Sequence, residues 1–421
     1  MDLLRAAAVT YIYLLPLSAA FAPHKWLPLP LLLLAVVSFP LLLLLFRRRR
    51  ITTPFQISNL FLVFFLIAVY ISLLANHNDL TEKNLNHAAG LTIIIFFYYF
   101  VLSVLLSVVS TRLIEKHLYI SFCLFAGYGI FQFVDVNWLG FNFDQYVWFP
   151  DDVVPGYGSV IGEYLRSRSL LLEPGHFAWY LNTIGLLLFA IGWRSFSAAK
   201  RRFLFFVYAI ALTLTFSAGG IFFLIASVIL SVILILTYLL ITQRTPEFGV
   251  YSRRVFRNIL IILVPLVSAY LILADLRAVV SDDILVKLQL ESSSGTDRMD
   301  RWLKALEAFS VNPLFGIGLG STSALEEGRG VISFYLTVLA ETGIFAFLFC
   351  VLFFLATIGY GLKIRSFDLT SMGLLLSSLL ASLGHFAIAT NFESAWVWFL
   401  LAFVTVKVKE DMRGRATTSF G

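Results

Sequence analysis

Two short segments of the sequence collect the groups that bind anions and move protons. The first reads Arg166-Ser-Arg168-Ser-Leu-Leu-Leu-Glu173-Pro174-Gly175-His176. A guanidinium is planar, always charged and able to grip a phosphate through paired N–H groups, so Arg166 and Arg168 are candidate pyrophosphate ligands. Pro174 suits the first position of a helix, where its missing N–H goes unused. Glu173 and His176, three residues apart, then share one side of that helix mouth. Either could accept a proton from a sugar hydroxyl. The plainer alternative sets both arginines against lipid headgroups and makes Glu173 a helix cap.

The second segment runs from Ser293 to Ser321. Within it Asp297–Ser310 is expected to form an amphipathic helix, because Met299, Trp302, Leu303, Leu306 and Phe309 recur at helical spacing. That stripe would lie against a helix bundle or a membrane surface. Asp297 with Arg301 and Asp300 with Lys304 form i,i+4 pairs in the favourable acid-first order. Arg298 has Ser294 and Trp302 at those distances instead, which leaves its guanidinium open to an external anion. Arg298 and Arg301 complete the candidate substrate-binding set. Beyond the helix, Asn312-Pro313 is followed by Gly316, Gly318 and Gly320. Spaced glycines permit close backbone approach, either to a phosphate or to a packed neighbour, and tight packing is the expected role. Glu341 and His385 fall inside apolar spans, where an ionisable group is a functional suspect. His385, with Asn391 and Glu393, is expected near the outer end of the last spans, where the three could line the same cavity as Glu341.

The elements that must position these groups are membrane helices. Hydrophobic residues make up 59% of the 421-residue chain and charged residues 13%, far from the balance of a soluble domain. Apolar runs long enough for a bilayer core lie near 6–22, 27–46, 57–75, 91–110, 118–134, 174–192, 203–216, 219–241, 258–274, 331–357, 371–389 and 395–406. The expected architecture is all-α, a bundle of about twelve helices forming one integral membrane domain over 1–421. Pro40, Gly185 and Pro265 are candidate kinks. Two long loops stand out, 135–173 and 275–330. With both termini placed inside, most of the 31 basic residues fall in cytoplasmic segments, and both long loops fall outside. The net charge of +6 thus reflects membrane orientation, and nucleic acid is not an expected partner. Residues 1–22 are read as a span rather than a cleaved signal, because Pro23 follows the Ala20-Phe21-Ala22 site. Cys123 and Cys350 are expected as free thiols within spans, and no metal-ligand spacing is present. In the first loop Trp138, Phe141, Phe143, Tyr146, Trp148 and Phe149 could stack on sugars, although an interfacial belt is the expected role.

Taken together the segments resemble the O-antigen polymerase and O-antigen ligase superfamily of bacterial inner membranes. The matching pieces are Arg168 ahead of Glu173-Pro174, S-G-x-x-R-x-x-x-W from Ser294 to Trp302, N-P-L-F-G-I-G-L-G from Asn312 to Gly320, and Y-L-x-x-L-A-E-T-G from Tyr335 to Gly343. The resemblance implies a metal-independent glycosyltransferase of the membrane-embedded C type, with no cofactor and its active face in the periplasm. Its donor would be an oligosaccharide on undecaprenyl pyrophosphate, engaged by Arg168 and Arg298. A chain-length regulator and a flippase are implied partners. Ligases of the superfamily carry a His-Asn just ahead of the Y-L-x-x-L segment, where this chain has Ile332-Ser333. That departure favours a polymerase joining lipid-linked repeats, and it leaves the base to Glu173 or His176. The alternatives are a ligase that transfers finished glycan to lipid A–core, and a transporter or flippase of anionic lipid-linked glycans.

Overall fold

The computed structural model describes residues 2–24, 27–48, 56–79, 81–150, 153, 155–156, 164–242, 293–324, 330–364 and 366–418. The expected span at 258–274, Pro265 and part of each long loop lie outside them. Every other expected span meets helix. In chain order these are α1 (Asp2–Leu14), α2 (Leu29–Arg48), α3 (Ile57–Ala75), α4 (Glu82–Ile94), α5 (Leu102–Ser107), α6 (Thr111–Val134), α7 (Pro174–Tyr180), α8 (Leu186–Gly192), α9 (Ala198–Leu214) and α10 (Ala218–Ile241). There follow α11 (Ser293–Val311), α12 (Phe334–Gly361), α13 (Leu369–His385) and α14 (Ala395–Thr418). Wider π-helical turns join α4 to α5 over Ile95–Val101 and α7 to α8 over Leu181–Gly185.

Among the described residues, six helical stretches are long and apolar enough to cross a membrane. Helices at the remaining expected positions are shorter or carry more charge. The chain is a helical membrane protein.

Local sequence explains where many helices begin. Ser110, Ser197, Ser217, Ser333 and Asp368 each accept a hydrogen bond from a backbone N–H of the following first turn. Such caps satisfy donors that a helix start leaves open. Thr81 and Asn84 form a reciprocal capping box at the start of α4.

Between helices, polar side chains serve as joints. Asn182 donates to the Gly220 carbonyl and accepts from the Tyr208 hydroxyl, both at 2.8 Å. Ser231 and Ser377 meet at 2.8 Å across α10 and α13. In an apolar surround such bonds select one helix register, each contributing on the order of 1 kcal/mol. The core between them is aromatic, with Trp179, Trp398, Tyr11, Tyr99 and Phe353 fully enclosed. Cys123 and Cys350 are free thiols.

The bundle has two chemically distinct ends. At one, Arg194 pairs with Asp368 at 3.3 Å and Lys407 donates to Thr111 at 3.2 Å. At the other the long connections converge: Phe21 N–H bonds the Trp148 carbonyl at 2.8 Å, and Phe334 N–H bonds the Phe386 carbonyl at 2.9 Å.

Pro40 lies within helix, and Gly185 closes a π turn, a geometry that bends helices. A sharp break that the sequence did not mark is at Gly343, with φ 78° and ψ −177°, inside α12. The amphipathic helix is present over Ser293–Val311, and of the two surfaces expected for its apolar stripe the bundle is not the one that Met299, Leu303 and Leu306 face. Ala305 and Ala308 are buried against Val331 and Ala340, whereas Met299, Leu303 and Leu306 are exposed. Small residues let helix axes approach closely, so alanines take the contact and the larger apolar side chains face outward.

Candidate active site

A cavity of about 470 Å³ lies at the loop end, and its walls are mainly apolar. Polar groups enter it from several elements: His87 from α4, His176 from α7, Glu341 from α12, and Asn391 and Glu393 from the α13–α14 connection. Tyr98, on the π turn between α4 and α5, also lines it. Apolar walls with few convergent polar groups are the usual form of a small-molecule site.

One wall depends on the glycines. After α11 the segment 312–320 runs beside the break in α12. Ile344 N–H bonds the Pro313 carbonyl at 3.0 Å, Ile317 N–H the Ala340 carbonyl at 2.9 Å, and Gly318 N–H the Glu341 carbonyl at 3.0 Å. A Cβ on Gly316 would stand 2.5 Å from the Glu341 carbonyl oxygen, and Gly316 itself adopts φ 68°. The glycines therefore serve backbone-to-backbone docking. The docked segment brings Thr322 to the Glu341 carboxylate, which accepts from its hydroxyl at 2.5 Å and its N–H at 3.2 Å.

Arg168 supports another part of the wall. Its guanidinium is buried, ion-paired with Asp144, and donates to the Leu171 carbonyl at 2.8 Å. It also lies 5.1 Å from the centre of the Phe149 ring. Gln132 completes the knot, donating to Asp144 at 2.7 Å and accepting from the N–H groups of Arg168 and Ser169. Pro150 and Leu171, which flank these contacts, line the cavity. Sequence spacing suggests a fork open to an anion; the structure occupies it with Asp144, a residue 24 positions away that no local pattern could pair with it.

The other candidates divide. Arg166 is half-buried and donates from Nε to the Thr215 carbonyl at 2.9 Å. Burial pushes its guanidinium below the ordinary arginine value, while the nearby Glu173 carboxylate works against that shift. Glu173 is exposed, makes no side-chain cap bond and does not line the cavity. His176 does line it, and its Nε2 lies 2.9 Å from Asn391 Oδ1. Asn391 in turn donates from Nδ2 to Glu393 at 3.1 Å. The expected convergence of Glu173 with His176 on one site is thus corrected: Pro174 starts the helix between them and turns only His176 inward.

On α11, Arg301 pairs with Asp297 at 2.7 Å and donates to the Gly330 carbonyl at 3.3 Å, beside the cavity wall. Arg298 lies one turn earlier on the same half-buried side. Among the described residues it makes no hydrogen bond or ion pair.

His385 does not share the cavity. Its ring is buried, stacked on Trp179 at 5.5 Å and tilted against Phe223 at 4.8 Å, with Nδ1 at 3.0 Å from the Ala381 carbonyl. Ser333, in the place where ligases carry their His-Asn, caps α12. None of the six aromatic residues singled out in the first loop lines the cavity; Trp138, Phe141 and Tyr146 are more than half exposed, as suits an interfacial belt. His87 escapes a reading of the sequence, since nothing near it forms a motif. Compared with known proteins, the chain matches no family model and no curated protein.

Proposed function

We propose that the chain is a polysaccharide polymerase of the bacterial inner membrane, joining undecaprenyl-pyrophosphate-linked oligosaccharide repeats in a cavity open to the periplasm. The observation that carries this reading is the placement of His176 in a largely apolar cavity with a hydrogen-bonded partner behind it. Arginine groups at the same end supply the charge: Arg298 and Arg166 for the pyrophosphate, with Arg301 holding the rim. Arg168 acts by fixing the wall rather than by touching the donor.

The acceptor hydroxyl oxygen attacks the anomeric carbon of the donor sugar, and the bond from that carbon to the pyrophosphate breaks. The bonding electrons leave with the pyrophosphate, whose charge arginine stabilises. The hydroxyl proton passes to His176, which serves as general base.

The local geometry also bears on the missing His-Asn pair. Phe334 N–H, beside Ser333, bonds the carbonyls of Phe386 and Ala389, and Asn391 two residues on holds His176. An imidazole therefore stands in the corner of the cavity next to the segment that carries histidine in the ligases.

The test is a gel of lipopolysaccharide and lipid-linked glycan from cells lacking the gene, complemented with wild type or His176→Gln. Core capped by a single repeat, restored to a ladder by wild type alone, supports the polymerase. Uncapped core with long glycan still on its carrier lipid supports the ligase instead. Normal pools in the deletion strain sink both and leave transport as the reading to pursue.

A further inference from the structure

We infer that Asn391 and Glu393 form a positioning relay that fixes the tautomer of His176, leaving Nδ1 as the nitrogen that takes the acceptor's proton. This inference rests on the polymerase reading for its chemistry, but not for its geometry.

Donor and acceptor identity set the relay's direction. A carboxylate can only accept hydrogen bonds, so Glu393 requires a donor from Asn391, and the 3.1 Å contact is made by Nδ2. That choice turns the carbonyl oxygen Oδ1 of Asn391 towards His176, where it lies 2.9 Å from Nε2. An amide oxygen accepts and never donates. His176 must therefore carry its proton on Nε2, and a neutral ring then has a single basic nitrogen, Nδ1. Without Glu393 the amide of Asn391 could turn over, present Nδ2 to the ring and select the opposite tautomer. All three residues line the same cavity.

Other ionisable groups surround the ring without bonding to it. His87, Glu341 and Tyr98 line the cavity with it. Glu173 stands three residues before it with Arg166 nearby. His385 lies behind Trp179, whose ring is 6.4 Å from His176 and 5.5 Å from His385. Among the described residues, the side-chain hydrogen bond of the imidazole is the one that Asn391 Oδ1 accepts from it.

In the transfer step the acceptor O–H bond breaks as its oxygen bonds the anomeric carbon. The proton moves to Nδ1 and gives an imidazolium whose Nε2–H still donates to Asn391. The charge is balanced by the pyrophosphate released, and the ring returns its proton to water before the next cycle.

The experiment uses the full chain in proteoliposomes supplied with undecaprenyl-pyrophosphate-linked repeats from the deletion strain, with the elongation rate followed against pH. Asn391→Leu removes the acceptor and should slow elongation about 10- to 100-fold, by analogy with the loss of a partner that orients a metal-ligating histidine. Asn391→Asp places a carboxylate against Nε2, favours the imidazolium and should move the acid limb of the profile up by about one pH unit or more. Glu393→Gln, which still offers an oxygen to Asn391, should retain more rate than Glu393→Ala.

A second measurement needs no substrate. Histidine-labelled protein in bilayers is studied by nitrogen NMR, with the His176 signal identified by its loss in His176→Gln. The Nε2–H tautomer is expected in wild type and a mixture in Asn391→Leu. An Nδ1–H tautomer in wild type overturns the relay, as does an unmoved acid limb in an active Asn391→Asp protein. If wild type elongates no lipid-linked repeat while the tautomer result holds, the polymerase reading fails and the relay stands.

Discussion

Gly343 faces Leu314 so closely that a Cβ at position 343 would overlap the Leu314 carbonyl oxygen and stand 2.7 Å from the Phe315 nitrogen. Its φ of 78° with ψ −177° belongs to a region that only glycine occupies without strain. Gly343→Ala should therefore cost about 1–3 kcal/mol in backbone strain and a similar amount from overpacking. Gly359 sits later in the same helix, and a methyl there would meet nothing within 4 Å. Gly359→Ala should leave stability unchanged or raise it by about 0.5–1 kcal/mol. Thermal unfolding of the two variants in detergent decides this; equal melting points would mean that segment 312–320 does not depend on the break.

Arg168 and Asp144 should behave as a buried pair whose halves cannot be removed separately. Arg168→Met alone or Asp144→Leu alone leaves an uncompensated charge and should cost about 3–5 kcal/mol. The double variant replaces both charges by apolar groups and should be more stable than either single one. A double variant weaker than both would contradict the wall-building role.

Arg298 should separate binding from folding. Arg298→Ala removes no hydrogen bond or ion pair among the described residues, so stability should stay within about 0.5 kcal/mol of wild type. Elongation should fall about tenfold, the equivalent of one lost charge-assisted hydrogen bond of about 1.4 kcal/mol. Arg298→Lys should recover part of the loss. Unchanged elongation by a stably inserted Arg298→Ala protein would remove this residue from the site.

Glu341 should tolerate an amide better than a methyl. In Glu341→Ala the Thr322 hydroxyl and N–H lose their buried acceptor, at a cost of about 1–3 kcal/mol. Glu341→Gln keeps an oxygen for Thr322 and should lie between Ala and wild type. Melting curves of the three proteins give the order directly.

Asp368 provides a pH-dependent contribution at the end remote from the cavity. Partial burial works to raise its carboxyl, but hydrogen bonds from Ser371 and the Arg194 guanidinium outweigh that and hold it below 3.8. A depressed folded value means that the stabilising charge is fully present above the ordinary carboxylate range and is lost as pH falls through the folded value. Asp368→Asn retains a capping oxygen, so wild type should exceed it at neutral pH and converge with it in strong acid. A constant gap across that range would show that the charge contributes nothing.

The sequence by itself determined what depends on composition and short spacing. Apolar runs of membrane length gave the helices, the amphipathic period gave α11, and Asp297 four residues before Arg301 gave their ion pair. Pro174 marked the start of α7. These are local properties, because a helix brings residues three and four apart together whatever lies around it.

Tertiary structure decided the rest, because the decisive partners are far apart in the chain. Arg168 found Asp144, His176 found Asn391, and the Gly316 segment found the backbone of α12 at Glu341. It also sorted Glu173 from His176, since a small helical rotation separates the exposed side of a helix mouth from the cavity side. A fork of arginine is equally suited to a phosphate or to a buried aspartate. Which of the two it meets depends on where loop 135–173 folds back, and no spacing within the loop encodes that.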